Sequence, residues 1–191
     1  DKYNRRDLNW RRFFGTKVDT DKSQPISALW SYLSVPRWYS PRWYHEGIAC
    51  FMETWLGGGV GRALGGYDEM YFRSIIDGGD KLYSVVGLET EGSTMDFQVG
   101  ANAYLYGTRF VNYLTKTYGY EKMIQFYNRT ADSRTFFGKQ FKKVYGQSLR
   151  KVWNDWKEDE KKHQEENLAA IRQYPITKTK PLTKEPLGSV S

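Results

Sequence analysis

The sequence predicts a mainly α-helical fold, in the form of a multi-helical single domain. Apolar residues recur at the three-to-four-residue spacing of helices over most of the chain, and glycine or proline marks the ends of these segments. Only one short segment has the composition of a β-strand. The length of 191 residues is sufficient for one compact domain with its own core.

The first forty residues give weaker signals. Residues 8–14 form a short amphipathic piece, and residues 26–33 form an apolar segment. The sequence Pro-Arg-Trp-Tyr then occurs twice, at residues 36–39 and 41–44. Because proline disfavours helical backbone in the residue before it, two closely spaced prolines favour an extended connector ahead of the first long helix.

The first long helix is expected over residues 41–56. Pro41 suits the first turn of a helix, and three consecutive glycines follow Leu56 and end it. The apolar residues of this segment predict a broad buried face: Ile48, Ala49, Phe51, Met52, Trp55 and Leu56. Glu46 is a carboxylate near the start of this apolar helix. Since an ionised carboxylate in apolar surroundings needs a cation or hydrogen-bond donors beside it, the partner of Glu46 bears directly on function.

A shorter helix and a loop are expected next. Residues 67–76 have helical spacing and stop at Asp77, which two glycines follow. Residues 81–97 are the least helical part of the chain. We predict a loop there, with a short strand at residues 82–86 as the alternative.

Four further helices complete the predicted domain. A long helix is expected over residues 98–118, followed by two shorter helices at about residues 120–129 and 133–145. Ser148 is suited to cap the final helix. The residues expected to face the core are Ala103, Tyr106, Phe110, Tyr113, Leu114 and Thr117 in the long helix, and Leu149, Val152, Trp153 and Trp156 in the final helix.

The composition changes twice towards the end of the chain. Residues 157–166 are mostly charged, which we interpret as a solvent-exposed face of the final helix. After Tyr174 the chain is rich in proline, threonine and lysine and has no periodicity. We therefore predict a helical domain over residues 1–174 and a linker over residues 175–191 that leads towards a following domain.

Composition and charge disfavour several classes of protein. No apolar run approaches the roughly 18 residues of a transmembrane helix, so no membrane span is expected. The formal net charge is +7, but the basic residues are scattered among 22 acidic ones, so we do not expect nucleic-acid binding. Cys50 is the only cysteine, which excludes an intrachain disulfide and a cysteine-based zinc site within this chain.

One segment resembles a known family. The pattern Trp-x-x-Glu-Gly-Ile-Ala-x-Phe-x-Glu, which begins at Trp43, is similar to the W-x-x-E-G-x-A-x-Y-x-E segment of gluzincin zinc metallopeptidases, the thermolysin-like and aminopeptidase-like group. In that family this glutamate is the third zinc ligand. The resemblance therefore implies that Glu46 binds zinc. It also implies that Glu53 is the family's second acidic position, beside a zinc-binding histidine, although a solvated surface residue is an equal alternative.

A second segment extends the resemblance. Tyr104-Leu-Tyr-Gly107 resembles the Y-x-x-G of the aminopeptidase branch, in which the tyrosine hydroxyl donates to the oxyanion of the transition state. The likeness covers roughly residues 25–173 and extends to the helical half of secreted bacterial peptidases. It implies a hydrolase that acts on peptides or proteins and is secreted or held in the cell envelope. In some of those proteins a TolB-like β-propeller follows the peptidase, so the resemblance leaves such a propeller as one candidate for the domain after this chain.

The chain also departs from the family. The other two zinc ligands and the general base of a gluzincin come from an H-E-x-x-H helix, which this chain lacks. His45 and His163 are its only histidines, and neither has a second histidine four residues away. His45 directly precedes Glu46 and so points about 100° away from it around the helix, which makes a shared metal unexpected. We interpret the zinc-binding helix as preceding Asp1 in a longer protein, and we expect this chain alone to bind no zinc and to be inactive.

Simpler interpretations of the same residues remain open at this point. Glu46 could be a first-turn glutamate that favours the helix dipole and pairs with an arginine, and Tyr104 could be an ordinary core residue. Cys50 stands where the thermolysin branch has an acidic residue, so that branch fits less well, and a small buried residue is favoured there.

Two alternative functions follow from those interpretations. The first is a non-catalytic helical module that binds a glycan or a protein surface through a row of exposed aromatic rings, namely Trp38, Tyr39, Trp43 and Tyr44. The second is a pseudo-enzyme whose longer form also lacks H-E-x-x-H. The peptidase hypothesis, in contrast, predicts that Glu46 and Tyr104 face one open surface.

Overall fold

The computed structural model describes residues 40–89, 100–128, 132–134 and 136–175, together with residues 25, 26, 29, 177, 178 and 180. Helices account for all the regular structure of these residues, and no strand occurs among them. The prediction of a mainly α-helical fold is confirmed. The predicted segments 8–14 and 26–33 and the predicted linker lie wholly or mostly outside the described residues.

Seven α-helices and one short 3-10 helix form the described part of the chain. In chain order they are α1 Arg42–Leu56, the 3-10 helix Arg62–Leu64, α2 Gly66–Asp77, α3 Val85–Glu89, α4 Asn102–Tyr118, α5 Tyr120–Tyr127, α6 Phe137–Tyr145 and α7 Leu149–Ile171. None of them is both long enough and apolar enough to cross a lipid bilayer.

Most helix boundaries agree with the prediction, and three differ. The short helix α3 forms in the segment that we predicted to be a loop. Helix α4 begins at Asn102 rather than at residue 98 because Gly100 has a φ of 90°, which a continuing right-handed helix does not allow. Helix α6 begins at Phe137 rather than at residue 133.

Aromatic side chains from six helices contribute to the core, and those of α1, α4, α6 and α7 meet around Trp43. The ring of Trp43 in α1 lies 5.2 Å from those of Phe110 in α4 and Trp153 in α7, measured between centroids. Phe110 and Trp153 are themselves 4.6 Å apart, and Phe137 of α6 lies edge-on to Trp43. Aromatic pairs of this kind stabilise by about 0.5–1.5 kcal/mol each beyond the area they bury. Contacts between aromatic rings, which the 17% aromatic content supplies, therefore join α1 to α4, α6 and α7.

Helices α1 and α4 cross with their backbones in direct contact. A β-carbon added to Gly107 would lie 2.2 Å from the carbonyl oxygen of Trp43, and one added to Gly47 would lie 2.3 Å from the carbonyl carbon of Gly107. Only glycine allows so close an approach. The crossing point therefore coincides with the glycine of each family-like segment.

This crossing changes which face of α1 is buried. The buried residues are Trp43, Tyr44, Gly47, Ile48, Cys50 and Thr54. The prediction was wrong at three positions, since Ala49 is exposed and the side chains of Trp55 and Leu56 are 48% and 80% exposed. Because α1 contacts α4 along the line through Gly47, its last turn projects beyond the core.

Helix α7 begins as predicted but its charged run is not wholly solvated. The hydroxyl of Ser148 accepts a hydrogen bond from the backbone N–H of Lys151 at 3.3 Å, so the predicted cap is confirmed. Within residues 157–166, however, Glu160 and Gln164 are buried. Our interpretation of this run as an exposed face is therefore wrong for these two residues.

Candidate functional site

Glu46 lies on the second turn of α1 and is half-exposed rather than buried. Its side chain is 29% exposed, and its Oε1 atom lies 3.6 Å from the Nε atom of Arg42, one turn earlier. Exposed pairs of this type contribute at most about 1 kcal/mol. The carboxylate of Glu46 is thus only loosely held and remains accessible to another cation.

Tyr104 lies next to the same arginine. The guanidinium carbon of Arg42 is 5.7 Å from the centre of the Tyr104 ring, and that of Arg62 is also 5.7 Å from it. The Tyr104 hydroxyl makes no hydrogen bond with any residue that the structure describes, unlike that of Tyr106, which accepts from a backbone N–H. The fold therefore brings both Glu46 and Tyr104 near one guanidinium group, that of Arg42.

The glycine crossing explains this juxtaposition. Glu46 directly precedes Gly47, and Tyr104 stands one turn before Gly107. Because these glycines hold the two backbones in contact, residues close to them on adjoining helix faces must be close in space. The spacing of each family-like segment is what places its polar residue beside the crossing.

A buried ion pair holds the second arginine. The Nε atom of Arg62 lies 2.9 and 3.0 Å from the two carboxylate oxygens of Asp68. The Asp68 side chain is only 3% exposed, and its burial raises the pKa of this carboxyl even though Arg62 acts in the opposite direction. The sequence did not reveal this pair, because Arg62 stands in a glycine-rich loop with no periodic pattern.

The loop before Arg62 is itself fixed to α1. The Thr54 hydroxyl donates to the carbonyl oxygen of Cys50 at 2.8 Å and accepts from the N–H of Ala63 at 3.1 Å. At Gly61 a β-carbon would lie 2.4 Å from the same hydroxyl oxygen, so a larger residue would displace the loop. Arg62 is consequently held in a defined position.

Three further residues were singled out in the sequence. Cys50 is buried, and burial raises the pKa of its thiol, so it is a small buried residue as favoured above. Glu53 is exposed on α1. His45 is half-buried, with its ring centre 5.2 Å from that of Tyr44.

Two of the four aromatic residues that were expected to form an exposed row are buried. Trp43 and Tyr44 are 1% and 7% exposed and pack in the core. Trp38 and Tyr39 lie outside the described residues. The expectation that Trp43 and Tyr44 present an aromatic surface to a glycan or protein is therefore wrong.

Glu46 has the chemistry of a zinc ligand but supplies only one donor. Its accessible, loosely paired carboxylate suits zinc, which accepts Asp and Glu oxygens alongside histidine nitrogens. Among the described residues, no three His, Cys, Asp or Glu side chains gather to form a metal site. Any further ligands would have to come from chain beyond those residues.

A second polar cluster joins α2, α4 and α7, and we call it the Arg109 network. Arg109 on α4 donates to Glu69 at 2.6 Å and to both carboxylate oxygens of Glu160 at 2.5 and 3.1 Å. Gln164 donates to both glutamates, at 3.1 and 2.8 Å. A nitrogen of His163 lies 2.9 Å from Glu69. Since every carboxylate here has several donors, the network ties three helices together.

The sequence contains a weak signal of this network. In α7 the buried residues Val152, Trp156, Glu160 and Gln164 follow one another at four-residue intervals. The apolar stripe therefore continues into the charged run as a buried polar stripe. A shallow pocket of about 230 Å³ lies beside it, lined in part by Arg109, His163 and Glu166, and neither Glu46 nor Tyr104 lines it.

We expect the Arg109 network to make the free energy of unfolding depend on pH. Burial alone would raise the pKa of Glu69, but Arg109, His163 and Gln164 together lower it. A carboxyl group with a lowered pKa stabilises the fold above its ordinary pKa, and this contribution is lost as the pH falls through the lowered value. Glu69→Gln should therefore destabilise by about 1 kcal/mol at pH 7 and by less at pH 3, since the carboxyl becomes protonated as the pH falls through its lowered pKa.

Urea denaturation at several pH values measures this effect. Glu165→Gln is the matched control, since the Glu165 side chain is 57% exposed and pairs with Lys161 only at 3.8 Å. Its effect should stay within about 0.5 kcal/mol at any pH. Equal destabilisation by Glu69→Gln at both pH values would contradict the assignment.

Comparisons with known proteins do not identify a family for this chain. No protein-family model matches it, and no curated protein or solved structure gives a significant match.

Proposed function

We propose that this chain is the C-terminal helical half of a zinc metallopeptidase catalytic domain, resembling the helical lobe of a gluzincin. The observation that carries the proposal is the meeting of Glu46 and Tyr104 at Arg42, with the two motif glycines in contact behind them. Two weak sequence patterns that are distant in the chain gain weight when the fold brings their polar residues together.

In this proposal each residue has a distinct task. The accessible carboxylate of Glu46 is one ligand of a zinc ion. When bound, zinc would act as a Lewis acid towards the scissile carbonyl and lower the pKa of a water molecule. Tyr104 would donate its hydroxyl proton in a hydrogen bond to the oxyanion, and the lack of a described partner for this hydroxyl agrees with that task.

Arg42 would act as a positioning residue. Its guanidinium lies near both the Glu46 carboxylate and the Tyr104 ring, so it would help to orient the two side chains towards a bound substrate. The same resemblance extends the proposal to peptides or proteins as substrates, to an upstream zinc-binding helix, to secretion or the cell envelope, and to a downstream β-propeller.

The test uses the longer gene product that contains this chain. If its upstream region carries H-E-x-x-H, the purified protein should hold about one zinc ion and hydrolyse a peptide library. Glu46→Gln should remove most of the zinc and the activity together, whereas Glu165→Gln should change neither. Zinc content is measured by inductively coupled plasma mass spectrometry, and hydrolysis is measured by detection of the peptide products.

The outcome also separates the alternatives. Unchanged zinc content in Glu46→Gln would contradict the proposal, because a missing ligand must weaken binding. Absence of H-E-x-x-H, of zinc and of hydrolysis in the longer product would favour the pseudo-enzyme.

A further inference from the structure

Arg62 is held in a way that leaves its terminal nitrogens uncommitted. Only its Nε atom bonds to Asp68, and it bonds to both carboxylate oxygens. Within the described part of the chain, the two terminal nitrogens make no hydrogen bond, and the side chain is 31% exposed. The guanidinium carbon of Arg62 also lies 5.7 Å from the centre of the Tyr104 ring. The terminal nitrogens of Arg62 can therefore donate hydrogen bonds to a ligand while Nε stays bonded to Asp68.

The surrounding fold orders this arginine before any ligand binds. Asp68 is 2% exposed and fixes the Nε side of the guanidinium from within α2. The contact between Gly61 and Thr54 fixes the backbone just before it. A side chain that is already ordered loses less entropy on binding than a free surface arginine does.

We propose that Arg62 is a specificity-determining residue that binds a carboxylate group of the peptide substrate next to Tyr104. This inference rests on the proposed peptidase function. The planar guanidinium matches a carboxylate in shape and charge, and such charge-assisted hydrogen bonds are about twice as strong as neutral ones. The guanidinium of Arg42, on the same tyrosine ring, adds a second positive charge to this subsite.

Two kinds of peptide carboxylate have this chemistry, and the probes separate them. One pair of blocked peptides differs by glutamate against glutamine at a central position. A second pair has a free C-terminal carboxylate against a C-terminal amide. NMR titration of the full chain should give a dissociation constant about tenfold lower for the acidic member of one pair.

Variants then assign the preference to Arg62. Arg62→Gln should abolish the tenfold difference, and so should the double variant Arg62→Gln/Asp68→Asn, which avoids leaving a buried charge unpaired. Arg150→Gln removes an equal charge from an exposed position on α7 and should leave the difference intact. Loss of the preference in Arg150→Gln would indicate net charge alone and overturn the inference, as would equal affinities within both peptide pairs.

Hydrolysis by the longer gene product separates this inference from the proposed function. Activity that shows no carboxylate preference, and no change in the double variant, would overturn the inference and leave the peptidase proposal standing. A protein that hydrolyses nothing but selects carboxylates through Arg62 would contradict the peptidase function and support recognition at this subsite. A preference in kcat/KM that disappears in the double variant supports both.

Discussion

Gly107→Ala is expected to destabilise the fold by about 3 kcal/mol. The new β-carbon would lie 2.2 Å from the Trp43 carbonyl oxygen and 2.9 Å from the Gly47 α-carbon. Both atoms belong to backbone, so relief requires α1 and α4 to move apart and the core around Trp43 to repack. Alanine gains about 1 kcal/mol in helix propensity over glycine, which offsets only part of this cost. Urea denaturation followed by circular dichroism measures the change.

Gly138→Ala is the matched control for this prediction. Gly138 also lies in a helix, α6, but a β-carbon there would meet nothing within 4 Å. The substitution should stabilise by about 0.5–1 kcal/mol through helix propensity and the unfolded state alone. If Gly107→Ala behaved like Gly138→Ala, the direct contact between α1 and α4 would be wrong, and with it the placement of Glu46 beside Tyr104.

Local sequence rules account for most of the helix order. Ser148 caps α7, and the glycines after Leu56 and after Asp77 end α1 and α2, as expected from backbone chemistry that acts within a few residues. The apolar positions of α4 and the start of α7 were also predicted correctly at Phe110 and Trp153. These features need only propensity and periodicity.

Features that depend on a partner helix were not predictable in the same way. Trp55 and Leu56 are as apolar as Ile48. The crossing at Gly47 nevertheless buries Ile48 and leaves Trp55 and Leu56 exposed. A charged residue such as Glu160 is usually predicted to be exposed to solvent. Here the hydrogen bonds from Arg109 on another helix compensate the cost of burying its carboxylate. In both cases the deciding atoms are distant in sequence.

The candidate site divides along the same line. Glu46 and Tyr104 were found because a family-like pattern surrounds each of them. Arg62 and Asp68 were missed, since they stand at the starts of a three-residue 3-10 helix and of α2, where no sequence pattern indicates a pair. The family resemblance alone leads to the proposed roles of Glu46 and Tyr104. The proposed binding of a substrate carboxylate by Arg62 comes only from the fold, which places this arginine near Tyr104.

Tyr104→Phe is expected to lower the kcat of the zinc-loaded gene product by about 100-fold to 1000-fold, with little change in KM. A donor aimed at an oxyanion stabilises charge that develops only in the transition state, and the loss of one such donor has this magnitude. The ring would remain to contact both arginines. Steady-state kinetics on one peptide, with zinc content measured in parallel, tests the expectation.

Stability distinguishes a catalytic hydroxyl from an ordinary one. Because the Tyr104 hydroxyl bonds to no described residue, its removal should change the free energy of unfolding by no more than about 0.5 kcal/mol. Tyr113→Phe, on the same helix and also half-buried, should leave kcat unchanged. If Tyr104→Phe retained zinc and full kcat, Tyr104 would be a packing residue and the oxyanion would need another donor. A fall in kcat with unchanged zinc content and unchanged stability is the result expected of a hydroxyl that donates to the oxyanion.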